Sequence, residues 1–465
     1  MISSSALGDI RDADAHPPIT PLDGWIASKV GSSVRPLDTC SLHAYQLERL
    51  NQTLALVQER SRFYRRLLGA RPRRLSSLNE LQDLPFTTAD QLRDSPNDLL
   101  CVSPDEVARI VTLPTSGTTG PPKRLFFSTA DQELTIDFFQ HGMSTLVARG
   151  DRVAILLPGT TPGSVGALLR EGLARMDVEG IVLGPVKDPL DTLLAMSEQR
   201  VNSMVGIPVQ ALRLARLAWT RGDISLDIDT VLLSTDYVPR ALAEAVEDIW
   251  ECAVFNHYGM TEMGLGGGVD CQARDGYHLR EADLLFEVVE PESSSRSARS
   301  APVPHGERGE VVFTTLTRSA MPLIRYRTGD VGSFVPGRCR CGTSLRRLAH
   351  VDARIGSTAT VCGLALTQGD LDECLFRFES IVDFRAALTC TDEAPELSLT
   401  VQHCPGYEPA RPMDIEDTLR AAIPSLSRDA QPSAKIGFLS TAEPHENVST
   451  GTSKRKITYL RSGER

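Results

Sequence analysis

Five short apolar runs fall between residues 152 and 259 of this 465-residue chain: "RVAILLP" at 152–158, "GIVLGP" at 180–185, "SMVGIP" at 203–208, "TVLLST" at 230–235 and "CAVFNHYG" at 252–259. Helical patterns such as "VQALRLARLAW" and "PRALAEAVEDIW" separate several of them. Short runs that stay apolar throughout read as strands buried on both faces, and strands alternating with helices build βαβ units around a parallel sheet. An α/β fold is therefore expected. Past Gly259 the pattern turns β-rich, with "LLFEVVE" and "GEVVFTTL" flanking a surface loop "PESSSRSARSAPVP", and a smaller α+β module follows from about residue 353. Upstream, Leu47, Leu50, Leu54 and Val57 recur at helical spacing, which predicts a helix ending near "FYRRLLG". Residues 1–38 are aperiodic apart from a short apolar piece around Trp25 and Ile26, and are expected to wrap the surface. A chain of 465 residues exceeds what one hydrophobic core organises, so at least two domains are expected.

Charge narrows the partners. With 49 Lys and Arg against 60 Asp and Glu, the net charge of -11 argues against a broad nucleic-acid or anionic-membrane surface. The start, "MISSSALGDIRDADAHPP", has neither a basic nor an apolar leader pattern, and no later run is long and apolar enough to span a bilayer, so a cytoplasmic location is expected. In that setting the ten cysteines read as thiols or metal ligands rather than a disulfide framework.

The densest chemistry lies in "LPTSGTTGPPKRLFFS", residues 113–128. Gly117 and Gly120 let backbone N–H groups converge on an anion, Thr115, Ser116, Thr118 and Thr119 add hydroxyl donors, and Lys123 adds a compact positive charge. The stretch reads as a polyphosphate cradle, with an ordinary Ser/Thr/Gly turn as the bland alternative. It is no Walker loop, because two prolines precede Lys123 and forbid a helix starting at Gly120.

Taken with "FNHYGMTE" at 255–262 and "YRTGD" at 326–330, this loop resembles the adenylate-forming enzymes, which activate a carboxylic acid with ATP. "SRFYRRLLG", "LQDLPFTTADQLR" and "GRCRCG" at 337–342 are similar to the phenylacetate-CoA ligase branch. The resemblance runs from about residue 40 to the C-terminus. It implies a large AMP-binding (adenylation) domain over 39–352, made of βαβ parallel sheets plus a β-rich subdomain, and a small α+β lid over 353–465 that swings between two half-reactions. It also implies roles. Thr115, Ser116, Thr118, Thr119 and Lys123 would hold the β- and γ-phosphates; Tyr258 would stack on adenine, Thr261 would touch the α-phosphate, Glu262 would help carry Mg2+, and Asp330 would accept from the ribose hydroxyls. Phe138, Phe139, His141 and Gly206 to Pro208 would line an acid pocket suited to an aromatic or medium-sized apolar acid.

Cys339 and Cys341 stand one residue apart, and Cys271 and His278 lie upstream. Three thiolates and an imidazole complete the closed tetrahedral shell of a structural Zn2+, and a metal in this region is in keeping with the family. The alternative is reduced loop cysteines with His278 capping a strand. Cys252, Cys362, Cys374, Cys390 and Cys404 receive no role.

The chain departs from the family pattern near its end. Arg354 falls on the arginine that contacts the nucleotide near the hinge, while Gly356 and Ser357 stand where the family has two aspartates. In "TGTSKRKITYLR" at 450–461, Gly451, Lys454 and Arg455 fit the family ending, but Thr452 occupies the position of the lysine that bridges carboxylate and α-phosphate. Lys454 is the candidate substitute. The resulting expectation is an enzyme that makes an acyl-adenylate from an acid and ATP and passes the acyl group to a thiol, chiefly that of coenzyme A. A carrier-protein phosphopantetheine or an amine are alternative acceptors, and a dimer is in keeping with the family. The competing expectation is a nucleotide- or acyl-adenylate-binding relative, impaired in adenylation and acting as a sensor or partner subunit.

Overall fold

The computed structural model describes residues 17–69, 74–113, 122–291, 301–391, 394–430, 433–441 and 455–459. The chain divides into two compact units, one made of Met1–Arg149, Thr161–Asp177 and Phe255–Val351, the other of Gly150–Thr160, Val178–Val254 and Asp352–Arg465. Among the described residues no helix is long and apolar enough to cross a membrane.

The second unit holds the parallel strands. Glu179–Val182, Arg152–Ile155, Ser203–Gly206 and Thr230–Leu233 lie side by side in that order, all parallel. Pro189–Glu198 and Pro208–Arg221 run between them, and Arg240–Trp250 follows Thr230–Leu233. Pro208 stands at the first position of its helix, where a missing N–H costs nothing. The helix Arg240–Trp250 is capped from far away: Glu373 accepts from the N–H of Arg240 at 2.7 Å, the N–H of Ala241 at 3.0 Å and the hydroxyl of Tyr237 at 2.7 Å. Glu373 belongs to Gln368–Leu375, the first helix of the C-terminal module. There Ala394–His403 pairs antiparallel with Ile381–Thr391 and parallel with Lys435–Thr441.

One apolar cluster runs through this unit, joining Leu212, Leu233 and Leu242 to Leu371, Phe376 and Leu419. The helical pattern "VQALRLARLAW" is less amphipathic than it reads, because its two arginines are buried. Arg216 donates to the carbonyl oxygens of Ile381 and Phe376, and Arg213 donates to Oε1 of Gln402. Burial pushes the Arg216 guanidinium down to about 10. Cys362, in the turn after Ala359–Val361, is joined by a disulfide to Cys390 in Ile381–Thr391, across a Cα–Cα distance of 6.0 Å. This corrects the reading of every cysteine as thiol or metal ligand; pairing depends on strand neighbours that the spacing of the two cysteines does not disclose.

The first unit is built on antiparallel pairs. Leu284–Val289, Gly309–Thr315 and Tyr326–Gly332 form one meander. Gly268–Asp270 pairs with Tyr277–Leu279, which pairs in turn with Arg347–Leu348. The expected helix near residue 47 breaks into Thr39–Arg60 and Arg62–Leu68. Ser61 makes the break, its hydroxyl donating to the carbonyl of Asp98 and accepting from the N–H of Tyr64. The N-terminal segment departs from the aperiodic expectation, since Pro21–Val30 is a helix with Thr20 as cap, Pro21 opening it and left-handed Gly31 closing it. Leu22, Trp25 and Ile26 are buried, and Lys29 pairs with Asp283 at 2.9 Å.

Candidate functional site

The strands Val107–Leu113 and Lys123–Ser128 pair antiparallel with Leu113 opposite Lys123, so both ends of the hydroxyl-rich loop are fixed. Thr115, Ser116, Gly117, Thr118, Thr119 and Gly120 lie outside the described residues. Lys123 Nζ lies 2.5 Å from Glu262 Oε1. Glu262 is buried in the tight turn Thr261–Met263, which follows the strand Ala253–Tyr258. The turn admits only glycine at 259, because a Cβ there would stand 2.2 Å from the carbonyl oxygen of Leu265. Arg318 holds the turn from behind, donating to the backbone oxygens of Glu262 at 2.8 Å and Phe126 at 3.1 Å. The hydroxyl of Tyr326 also donates to Glu262 Oε1, at 3.2 Å. Burial pushes the Glu262 carboxyl up, but the Lys123 charge and these hydrogen bonds outweigh it and hold the group below its ordinary value. Thr261 is half-buried beside it.

The hydroxyl of Tyr258 donates to Asp330 Oδ2 at 3.1 Å, and its ring stacks on Tyr277 with centroids 5.5 Å apart. Burial and then the Asp330 charge drive the Tyr258 phenol well above its ordinary range, so it remains a donor. Asp330 sits in Tyr326–Gly332, whose Arg327 pairs with buried Glu310. "FNHYGMTE" and "YRTGD", far apart in sequence, thus meet through two hydrogen bonds, Tyr258 to Asp330 and Tyr326 to Glu262.

Phe138, Phe139 and His141 project from Thr129–Met143. Trp25 lies 6.1 Å from Phe138 and stacks on His141 at 5.5 Å, while His257 lies 6.1 Å from Phe138 and 6.2 Å from Phe139. A Cβ on Gly266 would come within 2.3 Å of the Phe138 ring, so this wall packs flush on bare backbone. Gly206 ends the strand Ser203–Gly206 and Pro208 opens the following helix, both in the other unit.

Cys271, His278, Cys339 and Cys341 are all buried, with ligand atoms within 4.8 Å of one another. Sulfur atoms bound to one zinc at about 2.3 Å in a tetrahedron would stand about 3.8 Å apart. Cys271 Sγ and Cys339 Sγ are 3.6 Å apart, and Cys341 Sγ is 3.5 Å from His278 Nε2. The four groups therefore fit a tetrahedral soft cation. The antiparallel pairing explains the convergence: Cys271 follows Gly268–Asp270, His278 is in Tyr277–Leu279, and Arg347 pairs directly with His278.

A family profile described as AMP-binding enzyme matches residues 44–316. The phenylacetate-coenzyme A ligase of Thermus thermophilus is 30% identical over 357 residues, covering 73% of this chain and 76% of its own. The chain belongs to the phenylacetate-CoA ligase family of adenylate-forming, AMP-binding enzymes. Its Escherichia coli relative, also a phenylacetate-coenzyme A ligase, is 29% identical over 79% of this chain and 86% of its own. The fold agrees with that of 2-hydroxyisobutyryl-CoA ligase solved in the postadenylation state with 2-HIB-AMP, at a TM-score of 0.77 and 20% identity over 92% of this chain and 91% of that one.

For a phenylacetate-CoA ligase family member, two positions of interest fall near the C-terminus. Arg354 lies in the second unit, where its N–H donates to the hydroxyl of Ser357 at 3.2 Å and its carbonyl accepts from the same hydroxyl at 2.7 Å. Lys454 lies outside the described residues, although its neighbour Arg455 does not. Sequence reasoning missed Trp25, His257, Arg318 and Tyr326. The motifs contained His257 and Tyr326, but nothing local assigns a side chain to an aromatic wall or to Glu262. Trp25 carried only the signal of an apolar piece in a polar segment.

Proposed function

We propose that this chain is an AMP-forming acid–thiol ligase. A carboxylate oxygen of the acid attacks the α-phosphorus of ATP and the bond to pyrophosphate breaks; a thiol sulfur, that of coenzyme A, then attacks the acyl carbon of the adenylate, the bond to AMP breaks, and the thiol proton is released. The observation that carries the reading is the pairing of Lys123 with Glu262 one turn away from the Tyr258–Asp330 hydrogen bond. A cation and a carboxylate paired in this way can part around a triphosphate, Lys123 turning to phosphate oxygens and Glu262 to Mg2+. Bound there, Mg2+ supplies charge neutralisation of the leaving pyrophosphate. Tyr258 offers a ring face to adenine, Asp330 two acceptor oxygens to the ribose, and Thr261 a hydroxyl to the α-phosphate. Lys454 is assigned to the reacting carboxylate, and residues 353–465 to the lid.

The wall of Phe138 and Phe139, backed by Trp25 and His257, favours an aromatic or medium-sized apolar acid over a charged one. The Cys271, His278, Cys339 and Cys341 cluster is assigned to a structural zinc, whose four-ligand shell leaves no open position for catalysis. Thr452 favours the second reading, a nucleotide-binding relative without adenylation. Acid-dependent pyrophosphate exchange over a panel of aromatic and aliphatic acids separates the two. Exchange with at least one acid, slowed about 10²–10³-fold by Lys454→Ala, is the expected result. ATP binding without exchange for any acid would establish the second reading instead.

A further inference from the structure

Arg318 is 6% exposed and lies in the stretch between Gly309–Thr315 and Tyr326–Gly332, within the unit that also holds Lys123 and Glu262. Its root is pinned on both sides. Thr317 donates its hydroxyl to Asp283 Oδ1 at 2.8 Å, and the N–H groups of Ser319 and Ala320 donate to Asp131 Oδ1 and Oδ2 at 2.7 and 3.1 Å. The head of the side chain spans two elements: Nη1 donates to the carbonyl oxygen of Glu262 and Nη2 to that of Phe126, while the Phe127 ring lies 4.4 Å from the guanidinium carbon. Nε is buried and meets no acceptor among the described residues. Burial holds the guanidinium below its ordinary value, with the charges of Asp131 and Glu262 opposing the shift. A buried cation held by carbonyl oxygens costs stability that an apolar side chain would not, so its use here calls for a task beyond packing.

We propose that Arg318 is a positioning residue for the triphosphate: by bridging the carbonyl oxygens of Phe126 and Glu262, it sets the spacing between the strand that begins at Lys123 and the turn that carries Glu262. The inference rests on the reading of Lys123 and Glu262 as the phosphate and Mg2+ contacts. The two held points differ in stiffness. Lys123–Ser128 is paired with Val107–Leu113 from Lys123 to Phe127, so a hold on Phe126, about 10 Å along the strand from Lys123, is carried back to it. Thr261–Met263 is a single short turn without a side-chain cap, set between Gly259 and the left-handed Gly264, and has little stiffness of its own. Arginine suits the span because its planar guanidinium keeps two acceptors at a fixed separation, which the point charge of a lysine cannot do. Lys123 Nζ and Glu262 Oε1 lie 2.5 Å apart, and a shift of about 1 Å in groups that orient a reacting phosphate can cost on the order of 10²-fold in rate.

The test uses the full chain and reads binding as well as turnover. Arg318→Met is expected to raise the calorimetric Kd for ATP with Mg2+ by about 10- to 100-fold, the usual cost of removing a group that orients a ligand from behind. The Kd for AMP should stay within about twofold, because AMP lacks the β- and γ-phosphates that the Lys123–Glu262 pair would meet. With an acid that supports it, pyrophosphate exchange should slow by about 10- to 100-fold, while thioester formation from supplied acyl-adenylate stays within about threefold. Equal weakening of ATP and AMP, or unchanged binding of both, would overturn the proposal in favour of a purely structural brace. Should Arg318→Met fail to fold, Arg318→Lys keeps the buried charge, loses the two-point span and is expected to reproduce the selective loss of ATP. Lys123→Met and Glu262→Gln separate the two levels. If neither weakens ATP with Mg2+, the reading of the pair and the inference fall together; if either does while both Arg318 variants bind ATP as the wild type does, the inference falls by itself.

Discussion

His257 links the aromatic wall to acid stability in a way that can be worked through. Its ring packs beside both Phe138 and Phe139, with Nε2 shielded from solvent, and burial alone pushes the imidazole from 6.5 down to about 4. The folded protein therefore binds fewer protons at this site than the unfolded chain between pH 6.5 and 4. The stability contributed by neutral His257 is present in full above pH 6.5 and falls away as the pH drops toward 4. Integrated over that window the loss is about 3 kcal/mol, reduced to about 2 because the ring keeps some exposure. Replacing His257 by Asn removes the titration. Urea unfolding of both proteins at several pH values between 7 and 4 should show the variant gaining about 2 kcal/mol on the wild type as the pH falls, whatever the offset at pH 7. A difference between the two proteins that stays constant across the window would refute the reasoning. In the proposed acid pocket, His257 therefore adds no charge at neutral pH.

Tyr258→Ala should weaken ATP binding by about 1–3 kcal/mol, measured by calorimetry, through loss of base stacking. Unchanged affinity would remove Tyr258 from the nucleotide site. Elemental analysis should find close to one zinc per chain, retained against chelator in the folded protein, because the binding energy of a closed thiolate site is part of the folding energy. Cys339→Ser with Cys341→Ser should abolish that metal and lower the melting temperature, and full retention would dismiss the site.

Much of this was legible in the chain because periodicity and local motifs report local constraints. The apolar runs at 152–158, 203–208 and 230–235 became buried parallel strands since nothing else explains apolar residues on both faces. The four soft ligands were legible by type, although only the pairing of three short strands brings Cys271 and His278 to Cys339 and Cys341. What escaped depends on partners far along the chain. Arg216 is buried because it finds carbonyls 165 and 160 residues away, and Glu373 caps a helix 133 residues upstream. No window of sequence contains both halves of such contacts. The N-terminal helix escaped for a different reason: at ten residues, it draws its stability from packing and caps rather than from propensity.

The second unit is stitched from three separate stretches of chain, Gly150–Thr160, Val178–Val254 and Asp352–Arg465. Its parallel strands pair among themselves by residue 233, but the apolar faces of its helices wait for partners that follow only after residue 351. A chain ending at 351 would keep Arg216 without the Phe376 and Ile381 carbonyls, and would bare the apolar surface that Leu212 and Leu242 share with Leu371 and Phe376. Nonsense mutations between the codons for 352 and 376 should therefore behave genetically as complete loss-of-function alleles, aggregating or degraded, and never as alleles that separate nucleotide binding from acyl transfer.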